Sequence, residues 1–151
     1  MARQEVALVY GGATIGVMGA IANAVIDHGG VVIGVIPKHL VNYEIAHRGI
    51  TELHVVEDMH QRKKLMYDLS DAFLSLPGGM GTLDEMFEIL TWSQLKLHNK
   101  ACFIYNFQNF YDSLLEYLRH SHREGFIQAA HLELLQELTS HEQLLSLLKA
   151  L

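Results

Sequence analysis

Among its 151 residues the chain has a single cysteine, Cys102. An internal disulfide is therefore excluded, which fits a reducing compartment. Cys102 lies in the apolar run Ala101-Cys102-Phe103-Ile104-Tyr105, so a buried, inert thiol is the expectation and a reactive one the alternative. No apolar run reaches the length needed to span a bilayer. The opening Met1-Ala2-Arg3-Gln4-Glu5 lacks the shape of a signal peptide, and the expected location is cytoplasmic. Positive charge is scarce as well: 11 Lys and Arg stand against 17 Asp and Glu, a formal net charge of −6. That balance gives no basic footprint for general DNA or RNA binding, although a local cluster can still hold one phosphate.

Several chemistries lack their signatures. The ten histidines form no H-E-x-x-H pair, and His120-Ser121-His122 is too closely spaced for a usual chelate. Scattered surface histidines and no metal are expected. Ser70, Ser75 and Ser93 have no nucleophile-elbow context. Nothing marks Lys63, Lys64, Lys96 or Lys100 as buried or partnered for a pyridoxal cofactor. No linker, internal repeat or second domain is visible, so residues 1–151 are expected to form one domain.

What is present is a globular composition, half apolar and 19% charged. Val6 to Tyr10 reads as a first strand closed by Gly11-Gly12. Val17, Met18, Ile21, Ala22, Val25 and Ile26 mark a helix stopped by Gly29-Gly30, and Val31 to Ile36 is a second strand ended by Pro37. This is a βαβ unit. Lys38 to Gly49 breaks the pattern and reads as a long loop, of the kind that often carries function. A strand at Leu53 to Val56 and a helix at Met59 to Leu69 follow. Next come a strand at Ala72 to Leu76, a helix from Leu83 to about Lys96, a last strand at Ala101 to Tyr105, and a helix at Phe110 to His120. After Gly125 the remainder reads as helical, with Leu132, Leu135 and Leu138 at helical intervals. Alternation of nearly all-apolar strands with helices predicts an α/β doubly wound fold with a parallel sheet.

The chemistry concentrates at Leu76-Pro77-Gly78-Gly79-Met80-Gly81-Thr82-Leu83-Asp84-Glu85, between a strand and a helix. A parallel sheet binds its ligands there, and helix N-termini receive phosphate through their free N–H groups. The plain alternative is a capping box, with Thr82 as N-cap and Glu85 reaching back, while Asp84, Glu85 and Glu88 complement the helix dipole. A second glycine turn, Gly11-Gly12-Ala13-Thr14-Ile15-Gly16, departs from the dinucleotide fingerprint and lacks its acidic partner. It serves either a phosphate or tight helix–strand packing. Arg62, Lys63 and Lys64 stand near a helix start, where the macrodipole disfavours cations. They form a solvated face, pair with Glu57 or Asp58, or face an anionic ligand.

Pro77-Gly78-Gly79-Met80-Gly81-Thr82-Leu83-Asp84-Glu85 resembles the P-G-G-x-G-T-x-x-E signature of the LONELY GUY (LOG) family. These are cytokinin riboside 5′-monophosphate phosphoribohydrolases, long labelled lysine decarboxylases. Val9-Tyr10-Gly11-Gly12, Val32 to Pro37, Met59-His60-Gln61-Arg62-Lys63, Ser70-Asp71-Ala72-Phe73 and Thr91-Trp92-Ser93-Gln94-Leu95 resemble further family blocks in the same order. The resemblance implies a modified Rossmann fold and a homodimer. It implies hydrolysis of the N-glycosidic bond of AMP or N6-substituted AMP, giving free base and ribose 5-phosphate without metal or cofactor. Arg62 and Glu85 match the catalytic pair. Gly79, Met80, Gly81 and Thr82, continued by Leu83 and Asp84, match the binding turn for the phosphoribosyl part, and Glu44, Lys63 and Thr91 match further nucleotide contacts. Ala13 stands where the family often has a third glycine, and the family's first strand-helix unit is missing ahead of Val6. That absence raises the alternative of a non-catalytic nucleotide-binding module.

Overall fold

The computed structural model describes residues 1–41 and 46–150. It is α/β throughout and falls into two compact units, Met1–Ser70 and Asp71–Ala150. The predicted α/β class holds, with parallel strands flanked by helices in a Rossmann-like fold.

In the first unit β1 (Leu8–Tyr10), β2 (Val32–Pro37) and β3 (Glu52–Val56) form a parallel sheet in that order, with Val9 opposite Ile33 and Val35 opposite His54. Helix α1 (Gly16–Asp27) connects β1 to β2, and α2 (Met59–Leu69) follows β3. The central strand is the most apolar, so Val32, Val35 and Ile36 are fully enclosed. Leu8, Tyr10, Ala22, Val25 and Val32 make the core, with Met18, Ile21 and Ile50 against it. Helix α2 starts where the sequence indicates because the Asp58 carboxylate accepts from Gln61 N at 2.9 Å, an N-cap.

In the second unit β4 (Ala72–Ser75), β5 (Ala101–Tyr105) and β6 (Leu135–Leu138) are again parallel and in that order. Between them lie α3 (Met80–Gln94), α4 (Asp112–Arg123) and the short α5 (Ala129–Leu132), and α6 (His141–Ala150) closes the unit. The core is Met86, Ile104, Tyr111 and Leu115, with Leu83, Leu90, Leu114 and Leu135 around it.

Two expectations fail here. The stretch from Leu132 to Leu138 is not all helix, because Leu135–Leu138 pairs with β5, Cys102 opposite Leu135 and Tyr105 opposite Leu138. Leucines three apart imitate a helix, but the open edge of β5 offers backbone partners that decide the matter. Thr82 is also not the N-cap of α3. The helix begins at Met80, and the N-cap is Gly79 in extended backbone, with no side-chain cap bond.

Candidate functional site

The turn at the end of β4 is shorter and tighter than the sequence suggests. Gly78 packs against Thr82 so closely that a Cβ on it would stand 2.2 Å from Thr82 Oγ1. Any other residue would drive the threonine away, which explains why glycine occupies this bend. The first helical hydrogen bond of α3 runs from Leu83 N to Gly79 O at 3.1 Å. The N–H groups of Met80, Gly81 and Thr82 precede it and have no partner within the helix. Met80 is 86% exposed, so this N-terminus opens to solvent. Fifteen residues of aligned peptide dipoles end here, which favours an anion.

Glu85 stands one turn further along α3, half-buried. It shares a helix face with Gly81 and Glu88 at i, i+4 and i+7. Leu83 and Asp84 lie between, the first packed on the core and the second exposed. The second unit therefore brings Gly79, Met80, Gly81, Thr82, Leu83, Asp84 and Glu85 together. Thr91 is not brought to them. It lies eleven residues beyond Met80, about 16 Å along the helix, and its hydroxyl donates to Phe87 O at 2.7 Å.

The first unit carries the cations. Arg62 is the one buried residue of α2, at 7% exposure. Its Nε donates to the carbonyl oxygen of Val35 at 3.1 Å, and Nη1 lies 3.8 Å from the Met59 sulfur. Nη2 lies against Gly11, where a Cβ would stand 2.0 Å from it. An always-charged guanidinium is thus fixed beside the carboxyl end of β1, where parallel sheets take their ligands. Lys63, next in sequence, is half-buried. Lys64 turns outward to Asp68 at 2.5 Å, and Lys38 pairs with Glu57. The three cations thus divide between a buried guanidinium and a solvated face. Glu44 lies outside the described residues.

The first glycine turn is anchored within its own unit. His47 N donates to Gly12 O at 2.9 Å, its Nε2 meets Asn23 Oδ1 at 2.8 Å, and Ala13 bridges to Ala46. Cys102 is buried, and burial pushes its thiol up to about 11. Among the described residues no cluster of His, Cys, Asp and Glu could hold a metal, and no helix is long and apolar enough to cross a membrane.

Sequence reasoning placed Gly11 in a glycine turn but missed its partner Arg62, 51 positions away, which nothing local announces. It also missed Tyr111, whose hydroxyl donates to Leu76 O at 2.6 Å. The available signal was that a tyrosine inside a core usually finds a partner for its hydroxyl.

A family profile described as "Possible lysine decarboxylase" matches residues 18–148. The cytokinin riboside 5′-monophosphate phosphoribohydrolase of Rhodococcoides fascians is 56% identical over 131 residues, covering 86% of this chain and 66% of that protein. The Arabidopsis thaliana protein of the same name, LOG1, is 48% identical over 124 residues, 82% of this chain and 58% of its own. LOG2 of the same plant is 42% identical over 149 residues, 99% of this chain and 70% of its own. The chain spans less than two thirds of the length of the first two. A solved molybdenum cofactor binding protein from the phototrophic bacterium Rippkaea orientalis covers 99% of the chain with a TM-score of 0.70 at 21% identity, over 79% of its own length. That likeness concerns the fold.

Proposed function

Because the chain belongs to the LONELY GUY family, whose profile covers most of its length, we propose that it hydrolyses the N-glycosidic bond of AMP or of an N6-substituted AMP. The products are the free base and ribose 5-phosphate. The observation that carries this reading is the open N-terminus of α3 behind the Pro77-Gly78-Gly79 bend, with Glu85 on the same helix one turn away. The N–H groups of Gly79 to Thr82 suit the phosphate. The names of the relatives supply the reaction.

Breaking the C1′–N bond leaves its electron pair on the base and positive charge on the ribose. Water adds its oxygen at C1′ and gives up a proton, and the base gains one. A carboxylate at Glu85 stabilises that charge or orients the water, as in glycoside hydrolysis. Arg62 steadies the departing base, and its fixed guanidinium needs no reorganisation to do so. Lys63, Thr91 and Glu44 are further nucleotide contacts in this reading. In this reading residues 1–151 act as one domain, with Arg62 in the first unit and Glu85 in the second.

The working form is a cytoplasmic homodimer. Exposed Phe126, Leu97 and Leu95, at 87%, 65% and 61%, support self-association, and a lone buried thiol suits a reducing compartment. The net charge of −6 argues against a nucleic-acid partner.

The test is incubation with AMP and with N6-isopentenyl-AMP, following free base by chromatography. Release from either supports the hydrolase, and the rate ratio names the preferred base. Glu85→Gln is expected to lower kcat at least about 100-fold at an unchanged melting temperature. An active Gln variant would remove Glu85 from the mechanism. Nucleotide-dependent thermal stabilisation without base release would instead indicate a binding module.

A further inference from the structure

The bend that precedes α3 is held from behind by a buried polar chain that begins at the sheet edge. Asn106, 3% exposed, follows β5, and its N–H donates to Leu138 O at 2.8 Å, tying it to β6. Its Nδ2 donates to Asp112 Oδ1 at 2.8 Å and to Glu137 Oε1 at 2.6 Å, while its Oδ1 accepts from Tyr111 N at 2.7 Å. Both amide hydrogens and the amide oxygen are thus engaged, which fixes the start of α4 rather than merely filling space. Tyr111, also 3% exposed, is packed edge-on to Phe110 at 4.9 Å and projects its hydroxyl to Leu76 O at 2.6 Å. Burial pushes the phenol up, and the nearby backbone amide of Gly78 partly counters that push. One hydroxyl therefore ties the start of α4 to the residue just before Pro77.

We propose that Tyr111 is a positioning residue for the phosphate-binding turn, its hydroxyl stapling Leu76 to the start of α4 so that Gly79, Met80 and Gly81 present their N–H groups in a fixed array. The inference rests on the proposed hydrolase for its kinetic consequence, but the staple itself does not. Leu76 is the residue from which the Pro77-Gly78-Gly79 bend departs toward α3. A loose bend would let the first helical turn fray, and the amides that face the anion would lose their common aim. Binding of the phosphate would then weaken before the reacting bond is touched.

Tyr111→Phe keeps the ring and deletes the oxygen, and Tyr117→Phe, on the exposed face of α4 at 62% exposure, is the control. In the free protein, amide protection at Leu83 and Asp84 in the first turn of α3 is expected to fall about tenfold in Tyr111→Phe, the worth of one hydrogen bond. Protection at Ile89 and Leu90 should hold. KM for AMP is expected to rise about tenfold, with a smaller change in kcat. Mere loss of folded protein would lower the apparent kcat at unchanged KM. If the wild-type chain releases no base, the dissociation constant for ribose 5-phosphate replaces KM. If it binds no ribose 5-phosphate either, the hydrolase reading fails while the amide protection still decides the staple. Should Tyr111→Phe not fold, the wild type carries the test. Its Tyr111 hydroxyl proton, followed by the isotope splitting at Cζ, must exchange far more slowly than that of Tyr117. Unchanged protection at Leu83 and Asp84, or a fast Tyr111 hydroxyl, overturns the proposal.

Discussion

At the scale of single residues, Gly11 and Arg62 depend on each other. The guanidinium is buried, held through Nε by Val35 O, and its Nη2 occupies the volume a Cβ at Gly11 would need. A buried cation is tolerated only where its donors are satisfied, so its place cannot shift freely. Gly11→Ala is therefore expected to displace Arg62 and, if the proposed hydrolysis holds, to lower base release at least about tenfold, because a misplaced reacting group costs more than its missing contacts. The cause is separable from general damage. In an Arg62→Ala background, Gly11→Ala should add little, since the clash has gone, and a double-mutant cycle on stability should show strong coupling. Additive effects would mean that Gly11 serves only the packing of α1 on the sheet.

At the scale of elements, the candidate site is a strand, a bend and a helix. Gly78→Ala would put its methyl 2.2 Å from Thr82 Oγ1. The expected cost is about 1–3 kcal/mol, as for other overpacked sites, read as a lower urea midpoint at unchanged m-value. Thr82→Ala in that background should recover part of it. Helix α2 has its own device: Asp58→Ala removes the acceptor for Gln61 N and should cost about 1 kcal/mol. These elements also mark what a sequence discloses. Strands of continuous apolar residues flanked by glycines, and helices such as α1 with Val17, Met18, Ile21, Ala22, Val25 and Ile26 at helical spacing, are local patterns, so the α/β class, α2 and β5 could be read directly. The Pro-Gly-Gly bend was legible as a strand-to-helix turn for the same reason. Strand β6 was not, because Leu-Gln-Glu-Leu has no strand pattern of its own and becomes one only against β5. The N-cap of α3 was misplaced because Thr82 and Glu85 fit a capping pattern, whereas the close packing of Gly78 starts the helix three residues earlier. Gly11 with Arg62, and Tyr111 with Leu76, are pairs distant in sequence, and no periodicity announces them.

At the scale of the whole molecule, alkaline stability tests how tightly each unit excludes water. Burial pushes the Cys102 thiol up to about 11 and the Tyr10 phenol up to about 12, and it raises Tyr111 as well. In the unfolded chain the thiol and the phenols titrate at their ordinary values of 9.0 and 10.0. Between these and the folded values the unfolded chain has released protons that the folded chain still binds, so stability falls as pH rises. The contribution is complete below pH 9.0, where a solvated thiol begins to ionise, and disappears as pH passes the folded values of about 11 and about 12. A tenfold difference in proton affinity between the two states is worth about 1.4 kcal/mol, which makes the slope measurable in urea midpoints taken from neutral to strongly alkaline pH. Tyr10 separates two causes of that slope. Its hydroxyl is buried in the first unit and has no hydrogen-bond partner among the described residues. An unsatisfied buried donor destabilises by about 1–3 kcal/mol. Tyr10→Phe should therefore raise the urea midpoint at neutral pH and flatten the decline at the alkaline end, where the phenol would otherwise ionise on unfolding. A variant less stable than wild type at neutral pH would mean that the hydroxyl has a partner in solution, and the first unit's core would then be wetter than a closed apolar core allows.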